Sequence, residues 1–351
     1  MAAAQPLLPR STFPPHGHKL RSPDWPWTGT THTPYSRTDL RRAASCSAAP
    51  RARREQNVPG ELYVDSSCID CDACREICGS VFARVGGQSA VVRQPAAGAE
   101  RRAALQALLA CPTSSIRSGA RPVAGLQEAA ADHPIRILGL DDVFYCGYCS
   151  ENSYAASSYF IRGENGNVLV DCPRFDAHLV KRVETLGGLS HIFLTHRDDV
   201  YGHERWAAHF SAKRVVHELE AIGDLAAAEV ILRGAGPWSL DGEPLASVSA
   251  APAAVLFVPG HTAGHCALLR AGVLFTGDTL AYDPSLGRLQ AFRDFCWDSF
   301  EKQRASLAAL RGVPFRTVLP GHGRRHAFGS VAEKDSSLEQ LLLNLKAAEA
   351  S

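Results

Sequence analysis

The 351-residue chain has no apolar run that approaches the roughly 20 residues of a bilayer span, so no membrane partner is expected. It also lacks an apolar stretch of about 7–15 residues behind a basic start, which speaks against a secretory signal. Net charge is small, formally +1, but unevenly spread. Met1 to Gln56 holds nine Lys/Arg and three Asp/Glu; taking these from 37 and 36 leaves 28 against 33, a body of −5. A body of that sign offers no basic surface for nucleic acid. Eleven cysteines fall short of a disulfide-rich scaffold's density. Cys68, Cys71, Cys74 and Cys78 crowd into one short stretch, which in a reducing compartment reads as ligands before disulfides. Apolar content of 45% is ordinary for a globular protein, and the length accommodates two folded units with extensions.

Residues 1–56 carry many Pro, Ser, Thr and Arg, few acids and no hydrophobic period. That is the composition of a disordered organelle transit peptide, expected to lead to the chloroplast, with the mitochondrion as alternative. Composition then divides the chain into a first domain at 57–123, an Ala- and Gly-rich linker at 124–132 with room for a short helix, and a second domain at 133–351.

In the first domain, Leu62–Val64 and Gln88–Val92 read as strands, the latter after a Gly86-Gly87 turn, and Arg101–Leu109 has a helical apolar face. The cysteines stand at C-x2-C-x2-C-x3-C spacing. An iron–sulfur cube needs four thiolates from a small volume; three at this spacing wrap one side and the fourth comes from elsewhere. Cys78 is followed by Gly79 rather than Pro, no second such run exists, and the Cys-Pro pair stands at Cys111-Pro112. Glu61 to Arg117 thus resembles a single-cluster bacterial-type ferredoxin. The resemblance implies a small α+β domain holding a 4Fe-4S cluster on Cys68, Cys71, Cys74 and Cys111, with Cys78 a spare thiol. A zinc site on the same thiolates is the alternative, disfavoured because zinc ligands usually come as two pairs.

In the second domain four apolar runs each deliver a His or Asp at the carboxyl end. Ile192-Phe193-Leu194 leads to Thr195-His196-Arg197-Asp198-Asp199 and on to His203. Val255–Val258 leads to Pro259-Gly260-His261-Thr262-Ala263-Gly264-His265. Val273–Thr276 leads to Gly277-Asp278-Thr279, and Thr317–Leu319 to Pro320-Gly321-His322-Gly323. Such runs read as buried strands, which fix a ligand where the loop begins. Ser158–Ile161 and Asn167–Val170 flank a hairpin turn. Ala177–Leu186, Phe300–Leu310 and Ser336–Ala348 read as helices.

From about His133 onward these motifs resemble the metallo-β-lactamase fold superfamily. The resemblance implies a four-layer αβ/βα sandwich with the site at one edge, between two sheets. It implies His196, Asp198, His261 and Asp278 around a first metal ion, and His203, Asp278 and His322 around a second. The chain departs from the family's pattern twice: Asp198 stands for a histidine, and Gly202 for the carboxylate before His203. Asp199 is the other candidate for that missing donor. One or two divalent ions, zinc or iron, are therefore expected. The expected function is metal-dependent hydrolysis of a small-molecule substrate beside an electron-transfer module. One alternative is a mononuclear non-haem iron oxygenase on His196, His261 and Asp278. The other is a non-catalytic sensor or structural protein. An electron donor or acceptor protein is the partner that the cluster implies. The Cys146–Cys149 pair reads as chance, and His265 as packed beside the ligands rather than among them.

Overall fold

A computed structural model describes residues 51–349, so most of the expected leader lies outside the described residues. The first domain contains β1 (Leu62–Val64), α1 (Ala73–Ile77), β2 (Phe82–Val85), β3 (Gln88–Val91), α2 (Ala99–Ala110), β4 (Ile116–Ser118) and α3 (Leu126–Ala131). β1 pairs antiparallel with β4, and β2 with β3. The β2–β3 turn is Gly86-Gly87, with φ of 61° and 80°; positive φ at both positions is what a two-residue hairpin turn demands. α2 is rich in Ala and Leu, strong helix formers, and buries Ala104, Leu105 and Ala107 against Leu62, Val64 and Phe82. The expected linker carries α3, whose Ala129 enters this same core.

The second domain continues with β5 (Ile135–Arg136), β6 (Val143–Tyr145), β7 (Tyr159–Ile161), β8 (Val168–Val170), α4 (Ala177–Thr185), β9 (His191–Phe193), α5 (His203–Phe210), β10 (Lys213–His217) and β11 (Val230–Leu232). Its second half holds β12 (Ala253–Phe257), β13 (Cys266–Arg270), β14 (Val273–Gly277), β15 (Ala281–Asp283), β16 (Arg288–Gln290), α6 (Phe300–Ala309), β17 (Thr317–Pro320), β18 (His326–Ala327) and α7 (Val331–Glu349). A seven-stranded sheet runs β11-β10-β9-β8-β7-β6-β5, and a five-stranded sheet runs β12-β13-β14-β17-β18. β7 and β8 are buried at every position, which is why they read as unbroken apolar runs and not as alternations. Tyr159, Val170 and Phe193 meet Val255, Leu268 and Phe275 between the sheets. Leu169, Ile192 and Val216 pack beneath Leu179 and Val183 of α4 and Trp206 of α5. Leu256, Leu274 and Val318 pack beneath Leu307 of α6 and Leu338 and Leu341 of α7. The result is helix, sheet, sheet, helix: the four-layer sandwich.

Strand direction gathers the motif loops. β8 and β9 are parallel, as are β14 and β17, while β12 and β14 both run antiparallel to β13. The carboxyl ends of β12, β14 and β17 therefore face one edge, where the loop after β9 joins them. No helix of the described residues is long and apolar enough to cross a membrane.

Candidate metal centres

The thiolate cradle lies in the first domain. Cys68, Cys71, Cys74 and Cys111 line one small pocket with Val64, Ile69 and Ile116. Left-handed turns at Asp70 and Asp72, φ 58° and 67°, fold the chain so that three thiols converge. Asp70 N–H donates to Cys68 Sγ at 3.4 Å, Ser115 N–H donates to Cys111 Sγ at 3.3 Å, and the Cys74 thiol meets Ser89 Oγ at 3.2 Å. Burial pushes the Cys74 thiol up to about 12, and burial together with Cys111 and Cys74 pushes Cys71 well up. All four are free thiols. Four sulfurs held together without a disulfide, two of them on buried cysteines, fit a cationic core that would keep them as thiolates. Cys78 sits apart, 3.8 Å from Ser80 Oγ and 3.9 Å from Glu100 O.

At the sandwich edge, His196 Nε2 lies 3.9 Å from Asp198 Oδ2, 4.0 Å from Asp199 Oδ2 and 3.8 Å from Asp278 Oδ2. His261 Nε2 lies 3.9 Å from Asp198 Oδ2 and 3.7 Å from Asp278 Oδ2. His322 Nδ1 lies 2.8 Å from Asp278 Oδ1 and 3.9 Å from Asp199 Oδ2. Two groups emerge: His196, Asp198, His261 and Asp278, and beside them Asp199, Asp278 and His322, with His196 bordering both. His196 Nε2, His261 Nε2 and both Asp199 oxygens are buried without a hydrogen-bond partner. Buried polar atoms are rarely left so, and these converge on common points, which fits divalent ions. Gly321 makes room for them: a Cβ there would meet Asp278 Oδ1 at 2.8 Å and Asp199 Oδ2 at 2.9 Å.

His203 does not join this group. It opens α5, where Arg214 Nη1 donates to its Nδ1 at 3.4 Å, and burial and that guanidinium lower its pKa. The expectation that His203 serves the second ion is thus corrected by where the helix starts. Gly202 sits just before it with φ 87°, a left-handed turn, and a Cβ there would touch no atom within 4 Å. It is a turn residue facing open space, and Asp199 is the carboxylate that approaches Asp278 and His322.

The ligands are held from behind. Thr195 N–H and Oγ1 both reach Asp171, at 2.9 Å and 3.0–3.1 Å. Thr195 Oγ1 also lies 2.9 Å from His196 Nδ1. Burial raises the Asp171 carboxyl to about 7; in its ionised form the hydroxyl proton is committed to it, so Oγ1 accepts from Nδ1–H and the His196 lone pair lies on Nε2, toward the site. His265 stacks on His196 at 4.9 Å, accepts from Asp278 N–H at 3.1 Å through Nε2, and thereby donates through Nδ1 to Thr279 Oγ1 at 3.1 Å. Both of its nitrogens are used, so it orients ligands and is not one. Glu220, fully buried, accepts from Arg197 N–H at 3.1 Å and Gly264 N–H at 2.6 Å, tying two ligand loops together. Asp171 had a sequence signal, an acid ending an apolar run; Glu220 had none.

Electrostatics prepare the same donors. Burial drives His196 down to about 3, so its imidazole is neutral. Burial and then Asp278 raise Asp198 to about 6 and Asp199 well above the ordinary range. Asp278 goes the other way: burial is outweighed by His322, His196 and His261, which hold it well below. Against its own burial, His322 is raised to about 10 by Asp278 and Asp199. Without an ion, a cationic His322 carries the positive charge these carboxylates demand.

A sandwich with metal donors at the ends of parallel strands, joined to a four-thiol cradle, defines a two-module metalloprotein. Residues 153–322 match the family model of the metallo-beta-lactamase superfamily, and residues 64–118 that of the 4Fe-4S single cluster domain of Ferredoxin I. The chain carries a metallo-β-lactamase superfamily domain preceded by a single-cluster ferredoxin domain. Similar solved structures include an archaeal metallo-beta-lactamase superfamily protein from Sulfolobus tokodaii, at 18% identity over 57% of this chain and 86% of that chain, TM-score 0.37. ETHE1 from Myxococcus xanthus is similar at 21% over 57% and 84%, TM-score 0.39, and a metallo-beta-lactamase from Pontibacter korlensis at 19% over 58% and 97%, TM-score 0.41. No curated protein matches the chain.

Proposed function

We propose that the sandwich domain is a two-metal hydrolase acting on a small molecule, its second ion completed by Asp199. The observation that supports this most is the Asp199 carboxylate, buried and unpartnered, 3.9 Å from His322 Nδ1 and 4.0 Å from His196 Nε2. Two ions held there would lower the pKa of water at the site from 15.7 toward about 7 and polarise a carbonyl or phosphoryl group. The chain's own part is to fix the donors: Thr195 sets the His196 tautomer, His265 pins the Asp278 backbone, and Glu220 ties the loops.

A second reading, redox chemistry at iron, draws on two observations. Asp198 brings the donors to three carboxylates and three imidazoles, a set that suits iron as well as zinc. The ferredoxin module implies an electron-carrier partner. Metal and sulfide analysis of anaerobically purified protein tests both. Iron matching sulfide at about four each, plus about two zinc ions, supports the hydrolase. One or two further irons support redox, and fewer than one extra ion per chain removes both. The basic, Ser- and Pro-rich leader supports delivery to plastids; a reporter carrying residues 1–56 that stays in the cytosol would refute it.

A further inference from the structure

The turn that carries His322 is held from two sides. In front, Tyr159 OH donates to Pro320 O at 2.7 Å, Ser157 N–H donates to Gly321 O at 2.7 Å, and His322 Nε2 lies 3.0 Å from Tyr154 O. Behind, two consecutive arginines reach into the first domain. Arg324 forks onto Asp72, with Nη2 to Oδ1 at 3.0 Å and Nε on the other oxygen. Arg325 gives its Nε and its backbone N–H to Glu76 Oε1, at 2.7 Å and 3.3 Å. Asp72 lies between Cys71 and Cys74, and Glu76 just beyond them.

That segment has little structure of its own. α1 is five residues long, too short to be stable alone, and Asp72 stands in a left-handed turn. Its polar anchors are the cradle thiols, Arg75 and Arg84 on Asp70, Arg75 on Asp72, and the two arginines from the sandwich, while Ala73 and Ile77 pack into the adjoining cores. The arginine pairs are largely shielded, with side chains 12–28% exposed, where ion pairs weigh more than on an open surface. Arg325 also lies 4.8 Å over the Tyr145 ring, Tyr145 lies 6.3 Å from Tyr159, and Tyr159 holds Pro320. The contacts close a ring from cradle to His322 and back.

We propose that Arg324 and Arg325 couple the two centres, so that filling the cradle tightens metal binding through His322, and metal binding steadies the cradle. This rests on the metal centre proposed above. Emptying the cradle frees the segment that Arg324 and Arg325 grip, and the His322 turn loses its rear anchor. Coupling of this kind is reciprocal.

The test uses the full chain with Mn2+, an ion that thiolates hold poorly, its free fraction read by electron paramagnetic resonance. Cluster-depleted protein is expected to bind Mn2+ about tenfold more weakly than loaded protein. The double variant Arg324→Met/Arg325→Met should show the same loss when loaded, with cluster iron and sulfide unchanged, and no further loss when depleted. Asp72→Asn/Glu76→Gln, isosteric and on the other side of the contact, should repeat the result if the arginine variant folds poorly. In His322→Ala, depletion should leave the weakened binding unchanged. Affinities within twofold between loaded and depleted protein, or losses that simply add, would overturn the coupling while leaving the metal centre intact. Absence of Mn2+ binding in every form would remove the metal centre and the coupling with it.

Discussion

Replacing Asp199 by Asn should have opposite effects on metal content and on metal-free stability. The carboxylate is fully buried, its oxygens have no hydrogen-bond partner, and Asp278 stands beside it. In the loaded protein the second ion would have three protein donors, Asp199, Asp278 and His322; Asn removes one of the two anionic ones, and content should fall from about two ions to about one beyond the cluster. In the metal-free protein the sign reverses. Burial, then Asp278, raises the Asp199 pKa well above its unfolded value, so the folded state favours the protonated acid. Stability is full below the ordinary carboxylate pKa and is lost as pH rises toward the raised one, at about 1.4 kcal/mol per pH unit. For a chain of this size each kcal/mol moves the melting midpoint by about 1–2 °C. Melting with chelator present at pH 5, 6 and 7, beside plasma mass spectrometry of the loaded forms, reads both effects. Asn should flatten the fall of midpoint with pH and raise the midpoint at pH 7. Two ions retained in the variant, with midpoints that run parallel to those of the unaltered protein, would refute the assignment.

Serine at Cys68, Cys71, Cys74 or Cys111 should each lower cluster iron and sulfide, while Cys78→Ser should leave both unchanged, since Cys78 lies off the cradle. Thr195→Val removes the hydroxyl between Asp171 and His196 and should weaken metal binding about 10–100-fold, with Thr195→Ser restoring it, as read by chelator competition. Lys334 is fully buried and donates to Leu310, Arg311 and Val313 carbonyls at 3.0–3.1 Å. Lys334→Met removes the donor shared by the three, while Leu310 O and Val313 O keep the Val313 and Phe315 N–H groups, and should cost about 1–3 kcal/mol in urea unfolding, with metal content unchanged.

Much of the fold was legible because its strands are buried on both faces. Ile192-Phe193-Leu194 and Val168-Leu169-Val170 have no polar alternation to blur them, and each ends at a functional loop. The helices declared themselves by period, as in α4, whose Leu179, Val180 and Val183 form one stripe behind the Asp176 cap. The contacts between modules were not legible. Arg325 and Glu76 are 249 positions apart, and no local pattern marks either as the other's partner. Arg174 spans the junction in the same way, donating to Cys111 O and Cys149 O at 3.4 Å, so the 146–149 segment read as chance is packed beside the cradle.

The metal ligands show where spacing stops being informative. Five of the six expected at the edge converge, because each follows a strand end that fixes its position: His196, Asp198, His261, Asp278 and His322. His203 and Gly202 lie farther along a loop, where a left-handed turn at Gly202 decides which residue begins α5. That turn places His203 beside Arg214 and apart from the other donors. α5 is anchored without metal, through Trp206 Nε1 to Pro173 O at 2.9 Å and its burial against the seven-stranded sheet. The fold of the helix and the filling of the second site are thereby separated. An ion at Asp199 need not build α5; it has only to relieve a carboxylate already buried there. Chelation should therefore lower the melting midpoint without loss of helix content, and the strain should be concentrated at Asp199, whose replacement relieves it by another route.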